Sequence, residues 1–204
     1  MKFMIAIWIS ALATAVCGKD ETERPVQTQT RPVKAPTAGT HGVTETEIVL
    51  GEPAAFTGPW DGLGIEQWRG INAAVMEQND AGGVHGRKIR VVVADDAYEA
   101  DRAAPAVVKL VKEHDVFAIF AGGTPTIVKA LPVVKEYHAR EGLFYFANFT
   151  GAQAQRNPPY FEVVFNVRAS YQQETKAMVD AYVAAGRKGI GTFVQDDAYG
   201  TDGR

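Results

Sequence analysis

A glycine-rich loop in the middle of the chain carries residue types that suit the binding of a small anion. The stretch Gly122-Gly123-Thr124-Pro125-Thr126 follows an apolar run, and Thr124 and Pro125 occupy the predicted N-cap and first position of a helix. Free backbone N–H groups at such a helix start, beside the hydroxyls of Thr124 and Thr126, favour a carboxylate or another anion. The same pattern also fits a loop in which Thr124 only caps the helix.

A second glycine-rich loop, Gly58-Pro59-Trp60-Asp61-Gly62-Leu63-Gly64, lies earlier in the chain and also follows an apolar run. Its glycines permit close approach of the backbone, and Trp60 is either one wall of a ligand site or packed beneath its own loop. A dinucleotide-binding loop is excluded, because the Gly-x-Gly-x-x-Gly pattern that starts at Gly62-Leu63-Gly64 would need a third glycine at position 67, which the chain lacks. A P-loop is excluded because no Gly-Lys-Ser/Thr sequence occurs.

Residues for covalent or metal-dependent catalysis are scarce. Serine occurs only at positions 10 and 170, Cys17 is the single cysteine, and the four histidines do not show metal-ligand spacing. Asp95-Asp96 and Asp196-Asp197 end predicted strands, where aspartates usually cap the next turn, although paired carboxylates also suit magnesium or acid–base chemistry. We therefore expect a protein that is not an enzyme and that has no cofactor and no metal site.

The charge of the chain argues against nucleic acid as a partner. The 204 residues include 21 basic and 24 acidic ones, which give a formal net charge of −3, and they form no basic stripe that would neutralise phosphates. The hydrophobic content of 46% is sufficient for one large core or two small ones.

The body of the chain alternates between apolar runs of strand length and segments with helical spacing of apolar residues. Strands are predicted at 48–50, 89–94, 116–121, 143–147, 161–167 and 189–194, with helices between most of them and the last helix, 170–185, closed by Gly186. This pattern predicts an α/β fold with a doubly wound parallel sheet, in which ligands bind beyond the carboxyl ends of the strands.

Single residues predict how several helices begin and bend. Asp101 is predicted to be the N-cap of the second helix, which places Pro105 in its first turn. Pro132 is predicted to bend or break the third helix. Thr201 or Asp202 is predicted to be the N-cap of a further helix, but the sequence given stops before such a helix could form. We therefore expect the sequence to be truncated.

The amino terminus has the pattern of an export signal. Lys2 precedes an apolar run over residues 3–16, so we predict a signal peptide at 1–16 and a periplasmic or other extracytoplasmic location. Ala13-Thr14-Ala15 suits ordinary cleavage, whereas Thr14-Ala15-Val16-Cys17-Gly18 resembles a lipobox, in which Cys17 would carry a lipid anchor to the membrane. The proline- and threonine-rich residues 17–43 are predicted to form a disordered tether.

Five short motifs occur in an order that is specific in combination. They are Phe56-Thr57-Gly58-Pro59, residues 79–87, Ala94-Asp95-Asp96, Leu110-Val111 and Asp196-Asp197-Ala198-Tyr199-Gly200. From about Thr46 onward, the chain resembles type I periplasmic substrate-binding proteins, in particular the leucine/isoleucine/valine-binding-protein-like components of ABC transporters. Members are longer proteins with two αβα lobes joined by a hinge, which implies a first lobe at 44–167 and an incomplete second lobe at 168–204.

The resemblance also implies a set of ligand-binding residues. In this family the loop after the third strand holds the carboxylate of an amino acid, the loop after the fourth strand holds its ammonium, and the second lobe supplies a tyrosine. The corresponding residues are, in that order, Gly123, Thr124 and Thr126; Asn148 and Thr150, with Phe149 as lining; and Tyr199. The chain departs from the family where Thr-Pro-Thr replaces a serine-rich loop, and the family's acidic partner for the ammonium would lie beyond Arg204.

The function implied by the resemblance is capture without catalysis. An extracytoplasmic substrate-binding component would enclose an amino acid or a similar small carboxylate between its lobes and present it to a membrane permease. A ligand-sensing receptor on the same fold is one alternative, and an enzyme that uses the paired aspartates is another.

Overall fold

The computed structural model describes residues 40–203. The predicted signal peptide, Cys17 and the predicted tether up to residue 39 lie outside the described residues. The described part of the chain contains, in sequence order, β1 (Glu47–Ala54), α1 (Asp61–Asp80), β2 (Lys88–Asp95), α2 (Ala100–His114), β3 (Ala118–Phe120), α3 (Thr124–Glu141), β4 (Phe144–Phe146), a short 3-10 helix (Ala154–Arg156), β5 (Val164–Phe165), α4 (Tyr171–Ala184) and α5 (Ala198–Asp202).

The five strands form one parallel sheet in the order β2-β1-β3-β4-β5. The predicted α/β fold with a doubly wound parallel sheet is therefore confirmed. The chain moves outward from β1 in both directions, so right-handed crossovers place α1 on the face opposite to α2 and α3. This strand order has its switch point between β1 and β3, where the loops that follow the two strands diverge and leave a crevice for a ligand.

The hydrophobic core lies where α2 and α3 pack together and against the sheet. The side chains of Val107 and Leu110 from α2 and of Leu131 and Val134 from α3 are fully buried together with Ile119 of β3. Each such side chain contributes about 1.5–3 kcal/mol to folding relative to an exposed one. This core fixes the position of the N-terminus of α3 relative to the carboxyl ends of the strands.

The helices α1 and α4 leave much of their apolar surface exposed. Gly64 is the one buried residue of α1, whereas Trp68 and Met76, which recur at helical spacing, are 38% and 58% exposed. On α4, Tyr182 and Val183 are more than half exposed. Among residues 40–203, no element covers these two surfaces.

Two predicted strands differ from the structure. The segment 189–194 has no regular secondary structure, so this prediction is wrong, and Phe193 is fully exposed. An apolar run becomes a strand only beside a partner strand, and no strand of the described chain pairs with this segment. The strand predicted at 161–167 is shortened to Val164–Phe165 because turns occupy residues 158–163.

The predicted starts of α2 and α5 are wrong. The N-cap of α2 is Glu99 rather than Asp101, and Pro105 therefore lies inside the helix, beyond the first turn. The N-cap of α5 is Asp197, whose Oδ1 accepts hydrogen bonds from the amides of Tyr199 and Gly200 at 2.9 and 3.1 Å. Residues 201–202, which were predicted to cap a later helix, are instead the last two residues of α5. The helix begins before them because the Asp197 carboxylate accepts hydrogen bonds from the first free amides.

Two further helix predictions have different outcomes. Pro132 lies inside a continuous α3, so the predicted break in this helix is wrong. The predicted limits of α4 are confirmed within one residue, because Ser170 forms a capping box with Gln173 and Gly186 adopts a φ of 78° just after the helix.

The last residues of the predicted tether, 40–43, are hydrogen-bonded to the first lobe. The tether therefore ends before residue 40 and not at residue 43. The carbonyl of Gly42 accepts a hydrogen bond from the amide of Val49 at 2.8 Å, and the amide of Gly42 donates to Asp115 at 3.2 Å. His41 lies 2.6 Å from the same carboxylate, and this hydrogen bond raises the pKa of His41. Residues 40–43 therefore belong to the folded part of the chain.

Candidate functional site

The loop after β3 places the N-terminus of α3 at the switch point of the sheet. Gly123 is the N-cap, with φ −101° and ψ 173°, and Thr124 and Pro125 are the first two helical residues. The predicted N-cap at Thr124 is therefore one residue late, since Gly122 at φ 84° has already turned the chain into the extended conformation of Gly123. A glycine cap has no side chain to accept from the first-turn amides, which leaves them for another acceptor.

Thr124 connects three parts of the structure through hydroxyl groups. Its Oγ1 lies 2.7 Å from Oγ1 of Thr150, in the loop after β4, and 2.9 Å from the hydroxyl of Tyr171, the first residue of α4. Thr124 is 2% exposed and Thr150 is fully buried. The predicted partners Thr124 and Thr150 therefore lie in direct contact, and Tyr171 is a third member that sequence reasoning missed.

Thr126 lies in the same first turn, but its hydroxyl has an internal partner. Its Oγ1 donates to the carbonyl of Gly123 at 3.2 Å, and the residue is 2% exposed.

Asp96, which is 1% exposed, accepts a hydrogen bond from the amide of Tyr98 at 2.9 Å. Burial raises the pKa of Asp96, and its Oδ2 has no partner among the described residues.

Asp95 ties the loop after β2 to the loop after β1. Its Oδ1 accepts from the amides of Phe56 and Ala97 at 2.8 and 3.0 Å, and its Oδ2 accepts from the hydroxyl of Thr57 at 2.5 Å. Burial alone would raise the pKa of Asp95, but these hydrogen bonds outweigh it and lower the pKa to about 2. This carboxylate thus has the turn-capping role that its position at a strand end predicted.

Tyr98 is a site residue that the sequence analysis missed. Ala97 and Tyr98 both adopt left-handed backbone angles, with φ of 51° and 63°, and this turn directs the Tyr98 ring against Gly123. The ring centroid also lies 5.8 Å from that of Trp60, in the loop after β1. Burial, together with the nearby Asp197, raises the pKa of Tyr98 to about 12.

Tyr199 reaches the same region through Tyr171. The two rings meet edge to face with centroids 5.2 Å apart, and Tyr199 is 44% exposed whereas Tyr171 is 6% exposed. Contacts therefore run from Trp60 through Tyr98 to the N-terminus of α3, and from Thr124 through Tyr171 to Tyr199. We call this group the α3 site; its members are Trp60, Tyr98, Gly123, Thr124, Thr126, Thr150, Tyr171 and Tyr199.

Asn148 and Phe149, the other two predicted residues, lie beside this group. Asn148 is 2% exposed, and its Oδ1 accepts from Nε2 of the buried Gln155 at 3.4 Å. Phe149 is 49% exposed and borders an open groove beside α1 that Gln67 also lines. Asn148 is thus part of a buried amide network, and the Phe149 ring is available to a ligand only at the groove.

Arg168 is a second residue that sequence reasoning missed. Its guanidinium lies over the rings of Phe149 and Tyr171, at 5.7 and 5.2 Å from their centroids. It forms an ion pair with Glu174 at 2.6 Å and donates to the carbonyl of Phe149 at 2.9 Å. The sequence around Arg168 does not predict these contacts, because they depend on where the loop after β4 lies in the folded structure.

The strand order, with its switch point beside the N-terminus of α3, defines the class of this protein, a type I periplasmic binding protein of the leucine/isoleucine/valine-binding type. The chain belongs to the periplasmic binding protein family, whose model matches residues 47–204. Proteins of this family are extracytoplasmic. The homologues of this chain are binding proteins rather than enzymes. None of the helices in residues 40–203 is long and apolar enough to span a bilayer.

Two solved structures show the fold similarity. A possible leucine/isoleucine/valine-binding protein from Rhodopirellula baltica is 40% identical with a TM-score of 0.70, and the match covers 78% of this chain and 42% of that protein. An extracellular ligand-binding receptor from Verminephrobacter eiseniae is 28% identical with a TM-score of 0.69, covering 78% of this chain and 44% of that one.

Curated relatives match over shorter stretches. An amino acid binding protein of Pseudomonas aeruginosa is 35% identical over 80 residues, which are 39% of this chain and 21% of the relative. The Leu/Ile/Val-binding protein homolog 7 of Brucella melitensis is 36% identical over 100 residues, which are 49% of this chain and 24% of the relative. The chain thus matches less than half the length of each of these proteins.

Proposed function

We propose that this chain is the ligand-binding part of an extracytoplasmic substrate-binding component of an ABC transporter, with a small carboxylate as its ligand. The observation that carries the proposal concerns the N-terminus of α3. This end of the helix lies at the switch point of the sheet, and no side chain caps its amides. The family of the chain and its similarity to the possible leucine/isoleucine/valine-binding protein from Rhodopirellula baltica support a capture role.

The chemistry of the α3 site suits an anion. Backbone amides of the first turn carry the positive end of the helix dipole, and the hydroxyl of Thr124 in that turn can donate to a carboxylate oxygen while it accepts from the hydroxyl of Thr150 or Tyr171. Trp60 and Tyr199, each about half exposed, flank this end of the helix on two sides. Closure of a second lobe over Tyr199, followed by delivery to a membrane permease, completes the proposed cycle.

Thr124→Val is expected to weaken carboxylate binding by about 1.5–3 kcal/mol, because valine keeps the shape of threonine and removes a donor to a charged acceptor. Calorimetry on the full-length protein, with the small molecule that mass spectrometry identifies as retained after purification, measures this loss. Thr46→Val is the matched control, since Thr46 is exposed at the amino end of β1, away from the ligand-binding edge. Unchanged affinity in both Thr124→Val and Thr126→Val would overturn the assignment.

The 204-residue chain alone is expected to bind the same ligand more weakly than micromolar. High-affinity pockets bury most of a ligand's surface, whereas Trp60 and Tyr199 are 50% and 44% exposed here. The exposed apolar surfaces of α1 and α4 also favour aggregation of the isolated chain. Gel filtration and calorimetry test this, and a soluble monomer with micromolar or better affinity would show that the burial argument is wrong.

Lipidation of Cys17 stays a prediction, as does the alternative of ordinary signal cleavage. A sensing role on the same fold is an alternative function. It would use the same α3 site, so the binding experiments above apply to it equally.

A further inference from the structure

The short helix α5 is hydrogen-bonded to the loop after β4 through the side chain of Asp202. Both carboxylate oxygens of Asp202 accept from the backbone amide of Gln153, at 3.1 and 3.0 Å. Gln153 is the N-cap of the 3-10 helix, where a backbone N–H has no partner within the helix itself. Asp202 therefore supplies the acceptor that this amide lacks locally.

Contacts on the other side of α5 attach it to α4. The hydroxyl of Thr175 on α4 donates to the carbonyl of Gly203, directly after α5, at 3.0 Å. The ring of Tyr199 on α5 packs edge to face on that of Tyr171, the first residue of α4. The segment that opens the proposed second lobe thus carries Asp202 on its side toward the loop after β4.

The loop after β4 connects this contact to the α3 site. Within the loop, the amide of Ala152 donates to Oγ1 of Thr150 at 3.0 Å. The same oxygen lies 2.7 Å from Oγ1 of Thr124 in the first turn of α3. A carboxylate on α5 therefore holds a loop that contributes a hydroxyl to the α3 site, while both of its own oxygens are bonded to Gln153.

The charge of Asp202 strengthens its contact with the loop. A hydrogen bond to an ionised acceptor is about twice as strong as one between neutral groups. Arg156, the last residue of the 3-10 helix, is affected by the same charge: burial lowers the pKa of Arg156, whereas the carboxylates of Glu174 and Asp202 oppose this shift. The attraction between Arg156 and Asp202 thus acts in the same direction as the hydrogen bonds and holds α5 against the loop.

We propose that Asp202 is a positioning residue that latches the proposed second lobe to the loop after β4 and thereby favours the closed conformation. The inference rests on the proposed function and adds to it a contact between protein groups alone. A ligand that binds the closed conformation binds more weakly when that conformation is less populated. The latch therefore raises the affinity for a ligand of the α3 site although Asp202 is not a member of that site.

The test measures ligand affinity and lobe closure separately in the full-length protein. Asp202→Ala is expected to weaken binding of the retained small molecule about fivefold, mainly through faster dissociation. Small-angle X-ray scattering without ligand is expected to give a larger radius of gyration for this variant than for the wild type. Asp180→Ala is the matched control, because Asp180 is an exposed residue of α4 that pairs with Lys176 of its own helix.

The outcomes distinguish this inference from the proposed function. If the wild type binds a small carboxylate and a folded Asp202→Ala protein binds it equally well, the latch is overturned and the proposed function stands. If the wild type binds no small carboxylate, the proposed function fails, and the scattering measurement alone decides on the latch. An unchanged radius of gyration in Asp202→Ala would then overturn the latch as well.

A second variant removes the donor of the latch. Gln153 has φ −76°, an angle that proline adopts, so Gln153→Pro deletes the amide hydrogen with little change in the backbone. If the hydrogen bonds between Asp202 and Gln153 form the latch, Asp202→Ala causes little further loss of affinity in the Gln153→Pro background. Thermal unfolding confirms that each variant is folded. A further fivefold loss in that background would show that Asp202 acts through another contact, and the latch would be overturned.

Discussion

Glu52→Gln is expected to stabilise the protein at pH 8 and to leave its stability at pH 4.5 nearly unchanged. Glu52 lies on β1 with 0% exposure, and neither carboxylate oxygen has a hydrogen-bond partner among the described residues. Burial disfavours the charged form and raises the pKa of Glu52 from 4.5 to about 7. The native state therefore holds this side chain as a neutral acid through much of the range in which an exposed glutamate is ionised.

The sign of the effect follows from the two pKa values. Because the pKa is higher in the folded state, the contribution of Glu52 to stability is fully present below about pH 4.5 and is lost as the pH rises through 7. A rise from 4.5 to about 7 corresponds to about 3 kcal/mol of unfolding free energy. Glutamine cannot ionise, so the variant is expected to keep this stability at pH 8.

Urea unfolding at several pH values between 4.5 and 8 measures the effect. Glu47→Gln is the matched control on the same strand, since Glu47 forms a partly exposed ion pair with Arg90 at 2.9 Å. An exposed pair of this kind contributes at most about 1 kcal/mol. If the wild type and Glu52→Gln show the same pH dependence, then Glu52 is ionised in the native state and the burial argument is wrong.

The sequence could predict the order of strands and helices because burial leaves a local pattern. A parallel strand covered on both faces is an apolar run, as in 118–120, and a core-facing helix repeats apolar residues with a helical period, as in α2. The same reasoning failed for 189–194, because an apolar run shows strand propensity but not the presence of a partner strand. Local pattern therefore predicts elements better than it predicts their pairing.

From local pattern alone, the site was predictable only where its residues sit in a glycine-rich loop, and Thr150 and Tyr199 were predicted from the family resemblance. Gly123 and Thr124 follow a strand and open a helix, which is a local signal. Tyr98 and Arg168 join the region because separate loops meet at the edge of the sheet, and their own neighbours in sequence do not show this. The sequence thus indicated the anion-binding chemistry, whereas the aromatic and cationic surroundings needed the tertiary structure.

Gly123→Ala is expected to weaken ligand binding by about 3 kcal/mol, which is about 100-fold. The backbone of Gly123 has φ −101°, which any residue adopts, so glycine is not required there for its conformation. It is required because a Cβ at this position would overlap with ring carbons of Tyr98. An alanine methyl group forces the ring away from the N-terminus of α3 and separates it from Trp60.

A double-mutant cycle identifies the cause of that loss. If the clash with the Tyr98 ring is responsible, Gly123→Ala costs much less in a Tyr98→Ala background, and the two changes are strongly non-additive. If the alanine acts instead through the helix start, its cost is the same in both backgrounds, and the proposed contact between ring and cap does not govern binding. Calorimetry gives the four affinities, and thermal unfolding confirms that each variant is folded. Non-additivity would establish that the loops after β2 and β3 form the ligand-binding edge as one unit, with the glycine cap shaped by the tyrosine that packs on it.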